Sequence, residues 1–248
     1  MTMVRGVRIL ATPCCGAQYA FPNYMSMNFS AYEYWTDGWR EGSLMPDDGG
    51  LRRCQCGQFI LLKDLVQVGT ADASNLPSID RVSVQHLPEC IASATSEDVE
   101  VAARFEYWHH LNHSYRDRYH RHRAAEEAAT EAAWKAANPD NRSSWDKLRR
   151  GKSPTYFRPA NSPFTCPPFE PTPEQLENMV RLSEILARRS VGSQSSIIHL
   201  AELYREQGRF EEAQLAMDNL EKSQVDVTRK LISTLIQEKN AAPIRYRM

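Results

Sequence analysis

Short apolar runs separated by turn residues dominate the first part of the chain. Runs at residues 7–11, 17–21 and 58–66 have the length and composition of β-strands, and the last of them contains consecutive apolar positions. Segments 36–38 and 46–50, which contain aspartate and glycine, carry the turn signals that a hairpin requires. The pattern therefore predicts a small β-rich module at the N-terminus.

A long helical pattern follows in the middle of the chain. Ser96 is a favourable N-cap because acidic residues follow it in the first turn, where they complement the helix dipole. The pattern continues to Ala137, and Asn138-Pro139 ends it. A helix of about 40 residues would be roughly 60 Å long, so we expect a bend or break, with residues 113–114 as the candidate position.

The C-terminal part is predicted to be helical between about Thr172 and Lys239. Thr172 supplies an N-cap and Pro173 occupies the first helical position, where its missing N–H costs nothing. Apolar residues then recur at helical spacing over 174–189. Taken with the N-terminal strands, this predicts an α+β fold in which a small β-rich module precedes a long helix and a C-terminal helical bundle.

Composition limits the cellular setting. A membrane span needs about 20 consecutive apolar residues, and no run in the 248 residues approaches that length. The net charge is −1, so no overall field attracts the chain to nucleic acid or to an anionic membrane. The apolar patch within residues 1–11 is too short for a signal peptide, and arginines interrupt it. We therefore expect a cytoplasmic protein without a membrane segment.

Two short cysteine clusters carry the clearest chemistry. They occupy residues 14–16 and 54–57, and each ends in Cys-Gly. Structural zinc takes four thiolate or imidazole ligands, usually from two tight turns, and a glycine behind the last cysteine permits the positive φ that such turns adopt. Clustered cysteines without an export signal favour a bound metal over disulfides. The predicted ligands of one Zn²⁺ ion are Cys14, Cys15, Cys54 and Cys56.

Neither cluster has the usual C-x-x-C-G spacing. Thr12 and Arg53 stand where the first cysteine of each pair would be, which leaves one adjacent pair and one C-x-C pair. Cys15 and Cys56 are the best-placed ligands because each directly precedes its glycine. Cys14 is the least well placed ligand, and a histidine could coordinate the zinc in its place. Four reduced thiols without a metal are a further alternative.

On these two Cys-Gly turns, residues 7–66 resemble a zinc ribbon of the rubredoxin-like kind, with the departures just described. The resemblance implies two short hairpins joined by a structural Zn²⁺. The insert between the turns is rich in aromatic residues, which we interpret chiefly as the core of the small module. A recognition surface formed by some of these rings is the alternative.

Residues 193–223 resemble a single tetratricopeptide repeat. The matching positions are Ala201, Tyr204, Gly208, Phe210 and Ala213. Gly208 permits a turn between two helices, and alanines at the helix contacts allow the helices to approach closely. The resemblance implies peptide or protein binding, but a lone repeat can equally serve as a packing unit.

The long helix contains five of the seven histidines and lies in a basic region. Residues 101–160 hold 12 Lys or Arg and 7 Asp or Glu. His109 and His113 are spaced for chelation of a metal, although an exposed basic face is the simpler interpretation. Aromatic residues lie between the arginines, a combination that can bind phosphates and stack on bases. These rings are Tyr107, Trp108, Tyr115 and Tyr119.

Two lesser polar features are interpreted as solvated. His86 is a further metal-ligand candidate, but isolated histidines more often form ordinary hydrogen bonds. A polar site within the insert is another option, although loops favour these residue types in any case. The residues concerned are Arg40, Glu41, Asp47 and Arg52.

The combined prediction divides the chain into five segments. They are a zinc-ribbon domain at 1–66, an acidic connector of irregular structure at 67–100, a long basic, His-rich helix at 101–150, a Pro-rich linker at 151–173, and a helical, tetratricopeptide-like domain at 174–248. The linker is expected to be extended and stiff. The sequence does not predict an oligomeric state.

The predicted function is that of a non-enzymatic, zinc-binding adaptor that docks a protein partner through its helical module. A nucleic-acid-associated regulator is the alternative. A metal-dependent enzyme is the least supported class, because the chain has no nucleophile elbow, phosphate loop or diagnostic carboxylate pair.

Overall fold

The computed structural model describes residues 3–42, 50–140, 145, 156–157, 165–189, 194–220 and 227–246. Its contacts form two compact units, one comprising Met1–Asn112 with Glu170–Met248 and the other comprising His113–Phe169. The five-segment division stays a prediction. The predicted turn at 46–49, Asp47 and most of the Pro-rich linker lie outside the described residues.

Three small antiparallel sheets are formed by the described strands, with the orders β2-β1-β7, β4-β3-β9 and β6-β5-β8. The strands are β1 (Met3–Ala11), β2 (Gln18–Ser26), β3 (Glu33–Trp35), β4 (Arg40–Glu41), β5 (Leu51–Arg53), β6 (Phe59–Leu61), β7 (Val66–Ala71), β8 (Asp80–Arg81) and β9 (Arg245–Tyr246). The runs at 7–11 and 17–21 correspond to parts of β1 and β2. The run at 58–66 is strand only at Phe59–Leu61 and Val66, because a 3-10 turn at Leu62–Asp64 interrupts it. The α+β fold class is confirmed.

Helices make up most of the remaining described chain. They are α1 (Leu87–Ala92), α2 (Glu97–Leu111), α3 (His113–Ala137), α4 (Pro173–Arg189), α5 (Gln194–Glu206), α6 (Phe210–Asp218) and α7 (Val227–Gln237). None of the helices in the described part of the chain is long and apolar enough to cross a bilayer.

The cysteine clusters lie at the turns of two β-hairpins. β1 and β2 are joined by residues 12–17, here called the first cysteine turn, and β5 and β6 are joined by residues 54–58, the second cysteine turn. Gly16 and Gly57 have φ values of 71° and 90°. Because L-residues with a Cβ rarely adopt these values, the predicted reason for the two glycines is confirmed.

Three clusters of buried side chains support these elements. One lies beneath the cysteine turns and includes Leu10, Tyr19 and Cys54. A second joins β5 and β6 to α1 and α2, and a third joins α2 to α4, α5, α6 and α7. The second cluster therefore connects the hairpin that carries the second cysteine turn to the helical part of the same compact unit.

The segment 67–100 is not irregular throughout, so that part of the prediction is wrong. It contains most of β7, all of β8 and the helix α1. Leu87 and Cys90 of α1 are 1% and 0% exposed because they pack in the cluster with Leu51 and Val99. The segment is polar in overall composition, and a few apolar residues suffice to order it once β5 and α2 supply their partners.

The predicted boundaries of the long helix are confirmed. The Ser96 side chain accepts a hydrogen bond from the N–H of Val99, as an N-cap does. Helix α2 ends at Leu111, α3 begins at His113, and α3 ends at Ala137. The expected break therefore falls at Asn112, whose side chain is fully buried.

A buried polar network fastens the insert between the cysteine turns to the helices. Asp37, in the loop after β3, is 0% exposed. The Asn112 amide Nδ2 donates to Asp37 Oδ2 and to Glu206 Oε2, at 3.1 Å in each case. The indole Nε1 of Trp108 donates to the same Glu206 oxygen at 2.8 Å. Because an unpaired buried polar group is costly, these bonds specify how the insert meets α2 and α5.

A buried ion pair extends this network to the C-terminal segment. Arg205 and Glu202 are both 0% exposed, and two nitrogens of the guanidinium contact the carboxylate at 2.5 and 2.8 Å. Arg205 also donates to the backbone carbonyl of Asn240. Thr36 Oγ1 accepts the N–H of Ile244 at 3.0 Å. Removing one partner of such a buried pair typically costs about 3–5 kcal/mol.

We expect Glu206 to make stability depend on pH. Desolvation, followed by the charges of Glu202 and Asp37, raises its pKa well above 4.5, against the opposing effects of Arg205 and Trp108. A carboxyl group with a raised folded-state pKa stabilises most at low pH and loses that contribution as pH rises above its unfolded value. Glu206→Gln should remove this dependence, which is at most about 1.4 kcal/mol per pH unit.

The measurement is the free energy of unfolding by urea between pH 4.5 and 8, for the wild type and the variant. The wild-type value minus the Glu206→Gln value should fall as pH rises. The exposed Glu211→Gln change on α6 is the control. A difference that stays constant with pH would contradict the expected protonation of Glu206.

Candidate metal centre

The two cysteine turns bring four sulfur atoms together. The Sγ atoms of Cys14, Cys15, Cys54 and Cys56 all lie within 4.8 Å of one another. Three measured separations are 3.4 Å for Cys15–Cys54, 3.5 Å for Cys14–Cys56 and 3.9 Å for Cys14–Cys15. A tetrahedral zinc site with Zn–S bonds of about 2.3 Å has sulfur atoms about 3.8 Å apart. All four thiols are free of disulfides, and their spacing fits a tetrahedral ion.

Backbone hydrogen bonds hold each cysteine turn in shape. In the first turn, Thr12 N–H donates to the carbonyl of Ala17 and Gly16 N–H donates to the carbonyl of Thr12, both at 2.9 Å. In the second turn, N–H groups of Cys54 and Gly57 donate to the carbonyls of Gln58 and Cys54, both at 2.8 Å. The sulfurs are therefore positioned by closed turns at the ends of paired strands.

The unusual spacing of the first turn has a structural explanation. Thr12, which takes the place of the usual first cysteine, is 3% exposed. Its Oγ1 lies 3.5 Å from Cys15 Sγ and 3.7 Å from Cys54 Sγ. A hydroxyl is a hydrogen-bond partner for the sulfurs at this position, and the adjacent Cys14 supplies the additional thiol. Cys14, the least certain of the predicted ligands, thus belongs to the cluster.

Arg53 takes the corresponding place in the second turn and has other contacts. Its guanidinium lies 5.6 Å from the ring centre of Phe59 and 3.7 Å from Glu89 Oε1. Cys54, the next residue, provides the buried thiol of this turn and is 3% exposed. The two departures from C-x-x-C are therefore compatible with one four-sulfur cluster.

Tyr19 adds a hydrogen bond to the buried sulfur. Its hydroxyl oxygen accepts the backbone N–H of Gln55 at 2.8 Å and lies 3.6 Å from Cys54 Sγ. Since the oxygen accepts from Gln55, its own proton can be donated to the sulfur. Outer hydrogen bonds of this kind orient metal ligands and tune their basicity.

The thiols differ in their readiness to ionise. Burial disfavours the Cys54 thiolate, but hydrogen bonds from the Cys56 N–H, Tyr19, Thr12 and Cys15 lower the pKa of Cys54 to about 6. Desolvation raises the pKa of Cys14 to about 12, assisted by the neighbouring thiols and opposed by Thr12. One thiolate thus forms readily, whereas ionising the whole group requires a cation, which metal binding supplies.

The histidine alternatives receive no support as metal ligands. His86 Nδ1 lies 2.7 Å from Ser83 Oγ, at an open pocket of about 700 Å³ beside Cys54. His109 Nε2 lies 3.0 Å from the carbonyl oxygen of Asp37. His113 Nε2 lies 3.7 Å from Asp117. Among the described residues, the four cysteines form the only group of three or more potential ligands.

The polar candidates of the insert separate into two kinds. Arg40 and Glu41 are exposed as expected, but they lie in strand β4 and not in a turn. Arg52 is 0% exposed and donates from Nη1 to the carbonyl of Leu51 at 3.2 Å, so its predicted exposure is wrong. Its guanidinium lies 6.0 Å from the ring centre of Phe21 on β2, on the side of the first hairpin.

Three of the four rings considered for stacking on bases are buried. Trp108, Tyr115 and Tyr119 are 0%, 1% and 4% exposed. Within its own unit, Tyr115 contacts the Phe169 ring edge-to-face and donates to the carbonyl of Pro167 at 3.3 Å. Tyr107 donates its hydroxyl proton to Glu174. The contacts favour packing over nucleic-acid recognition by these rings.

Sequence reasoning did not identify two residues of the site, Thr12 and Tyr19. Thr12 had one available signal, because it occupies the position of a missing cysteine. Tyr19 is the strand partner of Leu10, which directs its ring under the cysteine turns. That placement depends on pairing between β1 and β2, which the local pattern does not specify.

No family model matches the chain, and no curated protein or solved structure is significantly similar to it.

We expect Tyr19→Phe to weaken metal binding while the fold is retained. The change removes only the hydroxyl group near Cys54 Sγ and keeps the buried aromatic ring. Loss of an outer hydrogen bond typically reduces metal affinity by about 10- to 100-fold. Competition with a chromogenic zinc chelator measures the affinity. Tyr24→Phe, which removes a hydroxyl elsewhere on β2, should leave it unchanged; equal affinities for all three proteins would argue against the role of Tyr19.

Proposed function

We propose that this chain is a non-enzymatic, zinc-binding adaptor protein of the cytoplasm. Zn²⁺ serves as a structural cross-link and a groove on the helical part docks a protein partner. The observation that carries the proposal is the set of four sulfurs at separations that suit a tetrahedral ion. Four thiolates fill the coordination sphere of zinc, so no position is left for a substrate or a reactive water. The ligands are Cys14, Cys15, Cys54 and Cys56.

The cross-link acts between two hairpins that are distant in sequence and that also share the buried cluster of Leu10, Tyr19 and Cys54. Structural zinc contributes on the order of 10–16 kcal/mol of apparent binding energy to small domains. The hairpin of the second turn also contributes Leu51 and Phe59 to the cluster with α1 and α2. The metal thereby couples the β1–β2 hairpin to a hairpin that is already packed on the helices.

A groove beside α4 is the proposed docking surface. It has a volume of about 550 Å³, and Pro173, Leu176 and Val180 form its apolar part. Leu176 is 41% exposed although it is a large apolar residue. Charged residues surround these positions, namely Arg104, Glu177, Arg181 and Glu184. An apolar centre with a polar rim is the arrangement of protein interfaces, and residues spaced by four suit an apolar peptide side chain or helix.

The rim of this groove is held in place by ion pairs. Glu100 Oε1 accepts from Arg104 Nε at 2.9 Å and from Arg181 Nε at 3.4 Å. Arg181 also contacts Glu184 at 3.4 Å. Side chains that are already ordered lose less entropy when a partner binds. The ion pairs therefore make this groove a better candidate for docking than a single exposed apolar residue elsewhere.

The repeat-like helix pair supports the groove from within. Gly208 has φ of 76° between α5 and α6. Ala201 and Ala213 are 0% exposed and belong to the cluster that also contains Met179 and Leu182 of α4. The small residues therefore serve close packing between helices, which is why we assign docking to α4 and not to the interior of the pair.

The two other function classes have less support. An enzyme that uses this metal would need an open coordination position, which four thiolates do not leave. A nucleic-acid regulator would need accessible rings among its arginines, and Trp108, Tyr115 and Tyr119 are buried.

The metal proposal predicts one zinc ion per purified chain. Cys54→Ser should abolish stoichiometric zinc and lower the free energy of unfolding by several kcal/mol, because the cross-link and a buried thiolate are both lost. Cys166→Ser is the matched control and should retain the metal. Elemental analysis and thermal unfolding are the measurements. A wild-type protein that is metal-free and fully folded would overturn the proposal.

The docking proposal predicts that the groove variant Leu176→Arg/Val180→Arg loses a protein captured by the wild type. A bound partner would remove water from the new arginine charges without offering them an opposite charge, so binding would weaken. Leu215→Arg on α6, which replaces a residue 64% exposed, is the control. Affinity capture from the source cells, followed by mass spectrometry, compares the three proteins.

Capture is carried out with and without nuclease. Recovery that survives nuclease and the control substitution, and that is lost with the groove variant, supports the adaptor function. Recovery that vanishes with nuclease would instead indicate a nucleic-acid bridge. Recovery that the groove variant leaves unchanged would place docking elsewhere.

A further inference from the structure

Two short sulfur separations in the metal centre join different turns. Cys15 and Cys54 are 3.4 Å apart, and Cys14 and Cys56 are 3.5 Å apart. The adjacent pair Cys14–Cys15 has the longer separation of 3.9 Å. The geometry thus divides the four thiols into two pairs that cross from the first cysteine turn to the second.

The spacing of the cysteines opposes a disulfide within the first turn. Consecutive Cα atoms are about 3.8 Å apart across a trans peptide, whereas disulfides usually join Cα atoms about 4.4–6.8 Å apart. A bond between Cys14 and Cys15 would therefore strain the turn. With a Cys14–Cys15 bond disfavoured, two disulfides among the four thiols can form only if both cross between the turns.

Each crossing pair combines an accessible thiol with a more protected one. Cys15 and Cys56 are exposed, Cys54 is 3% exposed and Cys14 is half-buried. An oxidant reaches an accessible sulfur first, and the protected sulfur lies close enough to react with the oxidised product. This is the arrangement of an attacking cysteine with its resolving cysteine.

We propose that the metal centre is a thiol oxidation site, at which hydrogen peroxide releases the zinc and forms disulfides Cys15–Cys54 and Cys14–Cys56. The inference depends on the proposed zinc site and adds a modification to it. The disulfides link the same two turns that the metal links. Oxidation therefore exchanges one cross-link for another and preserves the fold.

The chemistry balances with peroxide as the oxidant. The thiolate of Cys15 attacks one peroxide oxygen, the O–O bond breaks, and hydroxide leaves, so that Cys15 becomes a sulfenic acid. The thiolate of Cys54 then attacks the Cys15 sulfur; the S–S bond forms, the S–O bond breaks, and a second hydroxide leaves. Two thiolates have lost two electrons and one peroxide has accepted them.

Cys56 and Cys14 react in the same way with a second peroxide. The zinc ion keeps its oxidation state and leaves because its thiolate ligands have been consumed. Removal of zinc by a chelator under reducing conditions is different, since it leaves no cross-link between the turns. The proposal therefore predicts a folded oxidised protein and a destabilised reduced, metal-free protein.

Trypsin separates the two cysteine turns and provides the test. Cleavage after lysine and arginine yields peptides 9–40 and 54–63, each with one cysteine pair. Crossing disulfides join these two peptides, whereas disulfides within a turn leave them separate. The full-length, zinc-loaded protein is treated with a few equivalents of hydrogen peroxide. Zinc release, near-ultraviolet circular dichroism and unreduced peptide masses are then recorded.

The expected result is release of one zinc per chain, covalent joining of peptides 9–40 and 54–63, and retention of the circular dichroism spectrum. A dithiol reductant with added zinc should restore the starting state. The Cys90→Ala/Cys166→Ser variant, which keeps only the four clustered cysteines, should respond in the same way. The same protein treated with a strong chelator and reductant should lose most of that spectrum.

Two outcomes would overturn the inference: zinc that stays bound after peroxide, and zinc that leaves while the two peptides stay separate or carry sulfonic acids. The zinc content before oxidation is a separate measurement. A protein without zinc at that stage contradicts the proposed function. A protein with zinc but without crossing disulfides contradicts only the oxidation proposal.

Discussion

Two hairpin turns distant in sequence must place four sulfur atoms at the corners of a single tetrahedron, and the rest of the metal-centre region is arranged around that constraint. The separations of 3.4–3.9 Å leave little freedom in the turns. Backbone hydrogen bonds close each turn, glycines with positive φ follow the last cysteines, and Thr12 and Tyr19 direct hydroxyl groups to the sulfurs. Because like thiolates repel one another, a cation is the natural complement of this group.

The chain between the two turns also belongs to the helical part of the molecule. Its Asp37 lies in the network with Asn112 and Glu206, and its strand β3 pairs with β9 near the C-terminus. The cysteine turns, the insert and the helices α2 and α5 are thus parts of one compact unit. The second hairpin connects the metal centre to the helices, because its Leu51 and Phe59 pack against α1 and α2.

This arrangement unites the two proposals made for the protein. An adaptor requires a stable scaffold and an accessible surface, and the metal centre and the α4 groove are suited to those two tasks. Oxidation that replaced the metal by crossing disulfides would keep the scaffold while it changed the charge and the metal content of one face. The adjacent cysteines of the first turn disfavour a disulfide between them, so their oxidation leads to bonds with the second turn.

Local signals in the sequence determined a substantial part of this structure: the strands beside the cysteines, the glycine turns, the N-cap at Ser96, the stop after Ala137 and the α+β class. Each depends on residues within a turn or two of one another, so the pattern alone contains the information. The position of Tyr19 beneath Cys54, the burial of Arg52, the helix α1 in an acidic segment and the link from Asp37 through Asn112 to Glu206 were decided only by the tertiary structure. These depend on which distant segments share a core, and the free energy of burying a side chain is a property of its partners in space and not of its neighbours in the chain.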